Sequence, residues 1–285
     1  MIKEALYFEK LPEDKVRCRL CPQECIIYPD KVGFCGIRKN RDGILYSQVY
    51  GDVTAMALDP IEKKPLYRYH PGEYILSIST KGCNFKCPFC QNWNISQDLD
   101  ADARQFRPDD IVREAKRAGS FGIAYTYNEP FIWYEFVFDT AKLAKEAGLE
   151  NALVTNGYVN ELPLLDIIPY IGAMNVDLKA ASEDFYKNIC KGKLQPVLNT
   201  IKSSRQNGVH IELTNLVIPT LNDSEELLTK LVDLVYENAG PDVPMHFSRY
   251  FPCYKADYPP TPEATLELAK KIATKKLKYV YIGNI

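Results

Sequence analysis

From about Tyr74 onward, short β-rich runs alternate with longer amphipathic runs along the chain. The β-rich runs are dense in Ile, Leu, Val and Tyr, and several helix-like runs start at Pro or an acidic residue and stop at Gly. The predicted strands begin at Tyr74, Gly122, Asn151, Ala173, Val209, Pro244 and Tyr279. The predicted helices cover 108–119, 132–147, 162–168, 183–189, 196–207, 225–238 and 262–276.

This alternation predicts an α/β fold built from βαβ units around a parallel sheet. Six or seven units in roughly 210 residues favour a partial, TIM-like barrel of the (β/α)6 type, whose chemistry lies at the carboxyl ends of the strands. An open dinucleotide-binding sheet is not favoured, because no GxGxxG motif follows a strand. The part before Tyr74 lacks the alternation. We therefore predict a small N-terminal cysteine-rich, metal-binding lobe with its linker over 1–73 and a barrel over 74–285.

Composition and charge narrow the class of protein. The 285 residues are 46% hydrophobic and 25% charged, which is typical of a globular chain and excludes disorder and coiled coil. The net charge of −2 provides no basic field for nucleic acid. No apolar run is long enough to span a bilayer, and the first ten residues are too charged for a signal-peptide core. We expect a soluble, cytoplasmic protein with no membrane or nucleic-acid partner.

The nine cysteines carry the candidate chemistry. An odd number without a signal peptide argues against a disulfide framework and favours metal ligands. Cys83, Cys87 and Cys90, the cysteine triplet, follow the first predicted strand with the spacing C-x3-C-x2-C. A [4Fe-4S] cluster normally takes four cysteines, so three on one loop anchor three irons and leave the fourth open to an external ligand. A Cys3His zinc site, or a cluster closed by Cys190 or Cys253, is the alternative.

A second set, the four-cysteine group, precedes the barrel. It consists of Cys18, Cys21, Cys25 and Cys35, with the spacing C-x2-C-x3-C-x9-C. Four thiolates satisfy either tetrahedral zinc or an auxiliary iron–sulfur cluster, and sulfur ligands do not discriminate between the two. We expect a second metal site here, with zinc preferred. Cys190 and Cys253, outside both groups, are interpreted as ordinary small core residues.

Several motifs together resemble a known family. The triplet, with Phe89 before its last cysteine, resembles the radical S-adenosylmethionine (SAM) superfamily. The stretches Asp59-Pro-Ile-Glu-Lys-Lys-Pro-Leu, Tyr125-Thr-Tyr-Asn-Glu-Pro and Thr155-Asn-Gly-Tyr narrow the resemblance. They resemble the radical SAM proteins of the AmmeMemoRadiSam system, which are related to the pyruvate formate-lyase activating enzymes of glycyl-radical enzymes. The resemblance extends from about Cys18 to the last residues.

The resemblance implies a set of SAM contacts at the ends of the strands. Glu129 stands where the superfamily usually has Gly-Gly-Glu, with Tyr127 and Asn128 in place of both glycines, and its carboxylate is expected to accept from the methionine ammonium. An N-cap role for Glu129 is the structural alternative. The remaining cofactor-binding candidates are Phe89, Asn128, Thr155, Asn156, Asp177, Lys179 and Asn215. A plain surface ion pair is the alternative for Asp177 and Lys179.

The function that the resemblance implies is radical chemistry. A [4Fe-4S] cluster would bind SAM at its open iron and cleave it reductively to methionine and a 5′-deoxyadenosyl radical, which abstracts hydrogen from a substrate. That substrate is a protein, such as a glycyl-radical enzyme, or a small molecule, and the electron comes from a donor such as a flavodoxin or ferredoxin. The alternative is an iron–sulfur or zinc-binding scaffold, or an electron-transfer protein, without SAM turnover. Glu129, Asp177 and Lys179 at the barrel rim favour the enzyme, since a carrier needs none of them.

Overall fold

Eight short strands occupy the first sixty residues in the computed structural model, which describes all 285 residues of the chain. They are β1 (Lys3–Glu4), β2 (Phe8–Lys10), β3 (Val16–Cys18), β4 (Ile26–Ile27), β5 (Arg38–Arg41), β6 (Ile44–Ser47), β7 (Asp52–Val53) and β8 (Ala55–Pro60). Two small antiparallel sheets, β1-β6-β5 and β2-β3-β4, build the lobe that carries the four-cysteine group. β8 leaves this lobe and becomes the edge strand of the main sheet.

Seven parallel strands follow β8 in the main sheet, whose order is β8-β9-β11-β12-β13-β14-β15-β16. The strands after β8 are β9 (Tyr74–Ser79), β10 (Arg104–Gln105), β11 (Gly122–Tyr125), β12 (Glu150–Thr155), β13 (Ala173–Asp177), β14 (His210–Val217), β15 (Met245–Arg249) and β16 (Val280–Gly283). β10 lies outside this sheet and pairs with β7. The predicted α/β fold with a mostly parallel sheet is confirmed. All seven predicted strands are present and parallel, the last of them being β16, and β8 is added antiparallel at one edge.

Helices connect successive parallel strands. They are α1 (Trp93–Ser96), α2 (Pro108–Arg117), α3 (Tyr134–Glu146), α4 (Glu161–Ile167), α5 (Glu183–Phe185), α6 (Leu194–Gln206), α7 (Glu225–Ala239) and α8 (Glu263–Ala273). Capping explains where α7 lies: Ser224 accepts from the amide of Leu227 at 3.2 Å, and Gly240 ends the helix at φ 78°. No helix has the length and apolar character that a bilayer-spanning segment needs.

Residues 61–70, here called the barrel plug, run from β8 across the inside of the sheet. Ile61 and Leu66 pack on Ile75 and on three alanines, Ala124, Ala152 and Ala173, which stand side by side on β11, β12 and β13. Because side chains alternate along a strand, these alanines share a face with the residues two positions further on, which line the cavity described below. Small residues on three neighbouring strands leave the space that the plug fills, so the barrel is closed beneath its carboxyl ends.

Candidate active site

The carboxyl ends of the parallel strands enclose a cavity of about 410 Å³. Ten of the residues expected at the functional site line it: Cys83, Phe89, Cys87, Cys90, Asn128, Glu129, Thr155, Asn156, Asp177 and Lys179. They come from the loops that follow β9, β11 and β12 and from the end of β13 and the residues just after it. The fold therefore brings residues almost a hundred positions apart to one wall, because parallel strands present their carboxyl ends at the same edge.

The cysteine triplet lies on the loop between β9 and α1. Gly82 opens this loop at φ 90°, a backbone conformation that L side chains rarely adopt, and a Cβ there would lie 2.8 Å from the carbonyl oxygen of Cys35. Two donors point at Cys83 Sγ, the amide of Phe85 at 3.4 Å and the Asn156 side chain at 3.7 Å, and Ser96 Oγ lies 3.1 Å from Cys90 Sγ. The triplet thus faces the cavity with part of the hydrogen bonding that a metal-bound thiolate requires already present.

The surroundings of the three triplet thiols raise their pKa values and so favour the protonated form. Burial raises the pKa of Cys83 and of Cys90, and the neighbouring Cys190 thiol raises that of Cys87. A metal displaces these protons when it binds. Nowhere in the chain do three Cys, His, Asp or Glu side chains converge as the ligands of one metal ion must. Cys190 and Cys253 do not line the cavity, and Cys253 donates to the carbonyl of Cys90 at 3.6 Å.

Glu129 is the buried carboxylate of the cavity, with 2% of its surface exposed. Its oxygens accept from the amide of Phe131 at 3.0 Å, from Thr155 Oγ1 at 2.7 Å and from the amide of Asn156 at 2.8 Å. The bond to Phe131 is the N-cap contact of the 3₁₀ turn Pro130–Trp133, so the structural role considered for Glu129 is present. A carboxylate has about four acceptor sites, so one remains for a cationic ligand in the cavity.

The Glu129 carboxyl has a raised pKa and no cationic side chain beside it. Burial raises its pKa to about 7, although the three hydrogen bonds oppose the shift. No cationic side chain pairs with it. The carboxylate is therefore partly protonated near neutral pH, and a cation placed beside it would favour the ionised form.

Asp177 and Lys179 form an ion pair at the end of β13, with Lys179 Nζ 2.7 Å from Asp177 Oδ2. Burial opposes the charge of Lys179, but the Asp177 carboxylate and the nearby thiols outweigh it and raise the lysine pKa. The pair faces a cavity instead of open solvent. It can therefore offer its cation to an anionic group in the cavity, unlike the surface pair considered from the sequence.

Several neighbours hold this wall in shape. The Asn128 side chain accepts from the amide of Thr80 at 3.3 Å and donates to the carbonyl of Gly82 at 3.0 Å, which ties the Glu129 loop to the triplet loop. Asn156 Nδ2 donates to Asn84 Oδ1 at 2.8 Å. Phe89 is buried and packs on Phe185. These residues position the groups that face the cavity.

Asn215 is the predicted contact that the structure places elsewhere. Its side chain donates to the carbonyls of Leu178 at 2.8 Å and Lys179 at 3.0 Å and does not line the cavity. The reason is strand alternation, because Thr214 and Leu216 point into the barrel and the residue between them points out. Asn215 therefore supports the backbone of Lys179 from behind.

The four-cysteine group surrounds a small cavity of its own, of about 20 Å³, in the N-terminal lobe. Cys18, Cys21 and Cys35 are buried and Cys25 is partly buried. Burial raises the pKa of Cys21 and holds that of Cys35 at about 11. All four thiols face one space, as a shared ligand would require, but their present spacing does not enclose a single ion.

Further polar residues of the main cavity were not predicted from the sequence. Asn175, Thr214 and Ser248 line it from β13, β14 and β15, and Lys63 and Pro65 line it from the barrel plug. A signal was present for Asn175, which is polar between the apolar Met174 and Val176 of a buried strand, whereas β14 and β15 carry several polar residues each and do not single out Thr214 or Ser248. The plug shows no periodicity, so the stretch Asp59–Leu66 stood out only through its resemblance to a family motif, which did not indicate that Lys63 and Pro65 line the cavity.

Comparison with known proteins gives matches to one superfamily. Residues 77–232 match the model of the radical SAM superfamily. The chain is 46% identical over 288 residues to an uncharacterized protein of Methanocaldococcus jannaschii, in an alignment that covers 100% of this chain and 86% of that protein. It is 27% identical over 165 residues to the pyruvate formate-lyase-activating enzyme of Clostridium pasteurianum, covering 54% of this chain and 66% of that enzyme.

Solved structures share the fold at low sequence identity. SuiB of Streptococcus suis, bound to S-adenosylmethionine, superposes with a TM-score of 0.59 at 15% identity, covering 74% of this chain and 52% of that one. A domain of the pyruvate-formate lyase-activating enzyme of Bacteroides vulgatus has a TM-score of 0.51 at 16% identity, covering 57% of this chain and 99% of that one. At these identities the likeness concerns the fold.

Proposed function

The chain belongs to the radical SAM superfamily, and we propose that it cleaves SAM reductively and abstracts hydrogen from a substrate held in the main cavity. Members of this superfamily are enzymes that use a [4Fe-4S] cluster and SAM. The observation that carries the proposal is the shared cavity at the carboxyl ends of the strands. Three cysteines, a buried carboxylate and a partly buried ion pair all line it.

The residues present fit the cofactors. Cys83, Cys87 and Cys90 would hold three irons, and no further cysteine lines the cavity, so the fourth iron would be open to SAM. When bound and reduced, the cluster supplies the electron that breaks a carbon–sulfur bond of SAM and yields a 5′-deoxyadenosyl radical. The protein's task is to bind, orient and shield these groups.

In this proposal Glu129 and Lys179 bind the two charged groups of the methionine part of SAM. The methionine ammonium would take the remaining acceptor site of Glu129, and the methionine carboxylate would pair with Lys179 Nζ. Charge-assisted hydrogen bonds of this kind are worth about 1.5–3 kcal/mol each. Thr155 acts as a positioning residue through its 2.7 Å bond to Glu129, and Asp177 does the same through its 2.7 Å contact with Lys179.

Apolar residues form part of the cavity wall. Phe85 and Phe89 flank the triplet, and the barrel plug closes the space below. A closed, partly apolar wall protects a reactive radical from side reactions and strengthens the electrostatic contacts inside it. The substrate would then enter from the side of the strand ends.

Substrate and partners follow from the relatives. Among the similar proteins are activating enzymes named for pyruvate formate-lyase and 4-hydroxyphenylacetate decarboxylase, and one named as a putative activating enzyme of glycyl-radical enzymes. The substrate proposed here is a protein, such as a glycyl-radical enzyme, or a small molecule. A flavodoxin or ferredoxin would supply the electron, and the cytoplasm is the proposed location.

For the N-terminal lobe we propose a structural metal. The four-cysteine group lines one cavity in a lobe of short strands, and small units of this kind commonly need a metal to fold. Zinc with four thiolates is preferred over a second iron–sulfur cluster. The proposed division is a metal-binding lobe and linker over 1–73 and a catalytic barrel over 74–285.

Anaerobic reconstitution with iron and sulfide tests the proposed function. On addition of SAM and dithionite, the wild type should form 5′-deoxyadenosine, and Cys87→Ala should form none. Cys253→Ala is the matched control, because Cys253 lies beside the triplet but outside the cavity, and it should keep the activity. A wild type that binds a cluster yet never cleaves SAM would favour the electron-carrier alternative, and loss of the cluster in Cys253→Ala would mean that a fourth cysteine closes it.

A further inference from the structure

The barrel plug contributes a lysine to the cavity that the proposed handling of SAM does not use. Lys63 ends the 3₁₀ turn Ile61–Lys63 and lines the cavity together with Pro65. The plug is fixed on both sides of this turn. Ile61 and Leu66 are fully buried, and the carbonyl of Pro65 accepts from Asn175 Nδ2 at 2.8 Å. The amide of Arg68 donates to the buried carboxylate of Glu212 at 2.7 Å.

Charge accounting around the cavity singles out Lys63. Only four of the residues that line it are charged: Lys63, Glu129, Asp177 and Lys179. Lys179 pairs with Asp177, and Glu129 is the proposed partner of the methionine ammonium of SAM. Lys63 has one ion-pair partner, Asp59, which also pairs with Lys64.

The sharing of Asp59 is unequal. Lys64, with 2% of its side chain exposed, lies 2.8 Å from Asp59 Oδ2, whereas Lys63 lies 3.3 Å from Oδ1 and keeps 68% of its side chain exposed. Tyr127 also donates to Asp59, at 2.7 Å. Burial opposes the charge on Asp59, but the hydrogen bonds from Lys64 and Tyr127 hold its pKa at about 2. One carboxylate therefore neutralises the buried lysine, and Lys63 brings a net positive charge to the cavity.

Tyr127 shows that this arrangement is built into the site. Its φ of 68° lies in the left-handed region, which glycine adopts without cost. A tyrosine here keeps a strained backbone while its hydroxyl bonds Asp59 and its ring lies under Lys64 Nζ at 4.4 Å. The loop that carries Glu129 and the plug that carries Lys63 are thus joined through one side chain.

We propose that Lys63 binds the anionic group, a carboxylate or a phosphate, of a small-molecule substrate. The inference rests on the proposed function and adds the class of substrate to it. The hydroxyls of Thr214 and Ser248 line the same cavity and suit a polar molecule. The cavity of about 410 Å³ is closed below by the plug and must also hold the cluster and SAM, so a group that reaches Lys63 beside them must be small.

Anion binding to the reconstituted protein tests this inference without knowledge of the substrate. Inorganic phosphate and succinate are titrated anaerobically, by calorimetry at low ionic strength, into protein saturated with SAM, so that Lys179 is already occupied. The wild type should bind at least one of them, and the two titrations identify which anion fits. Lys63→Met, which removes the charge but keeps the aliphatic stem, should weaken that binding about tenfold or more.

Two further variants make the result decisive. Lys63→Arg keeps the charge and should bind within about threefold of the wild type. Lys276→Met removes another exposed lysine that pairs with an aspartate, at 2.6 Å from Asp233, and should change nothing. Equal binding by wild type and Lys63→Met, including no binding by either, would overturn the inference. Formation of 5′-deoxyadenosine by the wild type is measured separately, so its absence would count against the proposed function and leave the anion result readable.

Discussion

At the scale of single residues, the most informative group is the buried carboxyl of Glu129, whose pKa is raised. A carboxyl whose pKa rises from 4.5 to about 7 holds a proton that the unfolded chain releases, so this group lowers the stability of the fold as the pH rises through that window. Keeping it ionised above pH 7 costs about 3 kcal/mol. Three donors already surround the carboxylate, and none of them carries a charge. A bound ammonium would offset the cost, which is why the residue suits the amine of SAM.

Replacement of this carboxylate should separate its two roles. Glu129→Gln keeps an oxygen for the amide of Phe131 but presents an NH₂ group to the amide of Asn156, and it removes the charge. We expect SAM affinity to fall about tenfold to a hundredfold, with the cluster retained. Calorimetric SAM binding and thermal unfolding are measured on the same variant. A lower melting temperature with unchanged SAM affinity would leave Glu129 with its N-cap role alone.

The pH dependence of SAM binding should carry the signature of the same group. Since only ionised Glu129 pairs with an ammonium, affinity should rise with pH up to about 7 and then level off. Between pH 5.5 and 7.5 we expect an increase of about tenfold or more, a range that stops short of the titration of α-amino groups near pH 8. Glu129→Gln should give a flat profile over this range. A wild-type profile as flat as that of the variant would contradict the assignment.

At the scale of elements, periodic segments were predictable and the inserted ones were not. The helix expected over 225–238 is Glu225–Ala239, because its cap residues and its apolar spacing are local. The helix expected over 183–189 is three residues of α5 followed by a π-helical turn, Tyr186–Cys190. Lys191 ends this turn in the left-handed conformation, and Tyr186 accepts from the amide of Lys179. Such a turn is set by what it packs against.

At the site, too, two features could not be predicted from local sequence patterns: the barrel plug and the outward orientation of Asn215. Spacing picked out the triplet, and the family resemblance, together with the predicted strand ends, picked out Glu129, Asp177 and Lys179, all of which line the cavity. The plug depends on alanines from three strands and on Glu212, whose pKa of about 2 is held down, against burial, by bonds from His210, His246 and the amide of Arg68. No local pattern reports contacts between positions so far apart in the chain.

The four-cysteine group yields a prediction for the lobe as an element. Metal analysis of the reconstituted wild type should find one zinc in addition to the irons of one cluster. Cys35→Ala should lose this zinc and melt at a lower temperature, because the binding energy of a structural metal is folding energy, while SAM cleavage in the barrel persists. Cys253→Ala serves as the control with a cysteine outside both groups. A wild type with neither zinc nor additional iron would remove the second metal from the account.

At the scale of the whole molecule, the lobe and the barrel share one core. Buried residues of the lobe, including Val16 and Leu45, belong to the same apolar cluster as the barrel strands. A buried ion pair crosses between them, with Arg38 of β5 3.0 Å from Glu135 of α3. Glu135 also accepts from the amide of Leu6 at 2.8 Å, and Arg38 donates to the carbonyl of Leu6 at 2.6 Å. The N-terminal lobe is therefore held against the barrel by a buried ion pair and a shared core.

Removing one partner of this pair should loosen the lobe. Glu135→Gln leaves Arg38 buried without a counter-charge, and we expect about 3–5 kcal/mol less stability in urea unfolding. Limited proteolysis should then cut the first fifty residues sooner than the barrel. Glu146→Gln, on the exposed side of the same helix, should behave like the wild type. Equal stability of the two variants would mean that the pair does not hold the lobe.

The proposed cleavage of SAM requires a cluster in the main cavity with one iron that no cysteine binds. Electron paramagnetic resonance of the reduced, reconstituted protein, recorded before and after addition of SAM, tests this most directly. Three cysteine ligands leave one iron free, so we predict a single [4Fe-4S] signal whose g values shift when SAM coordinates that iron. A cluster signal that SAM leaves unchanged, at concentrations that saturate binding, would contradict the central claim.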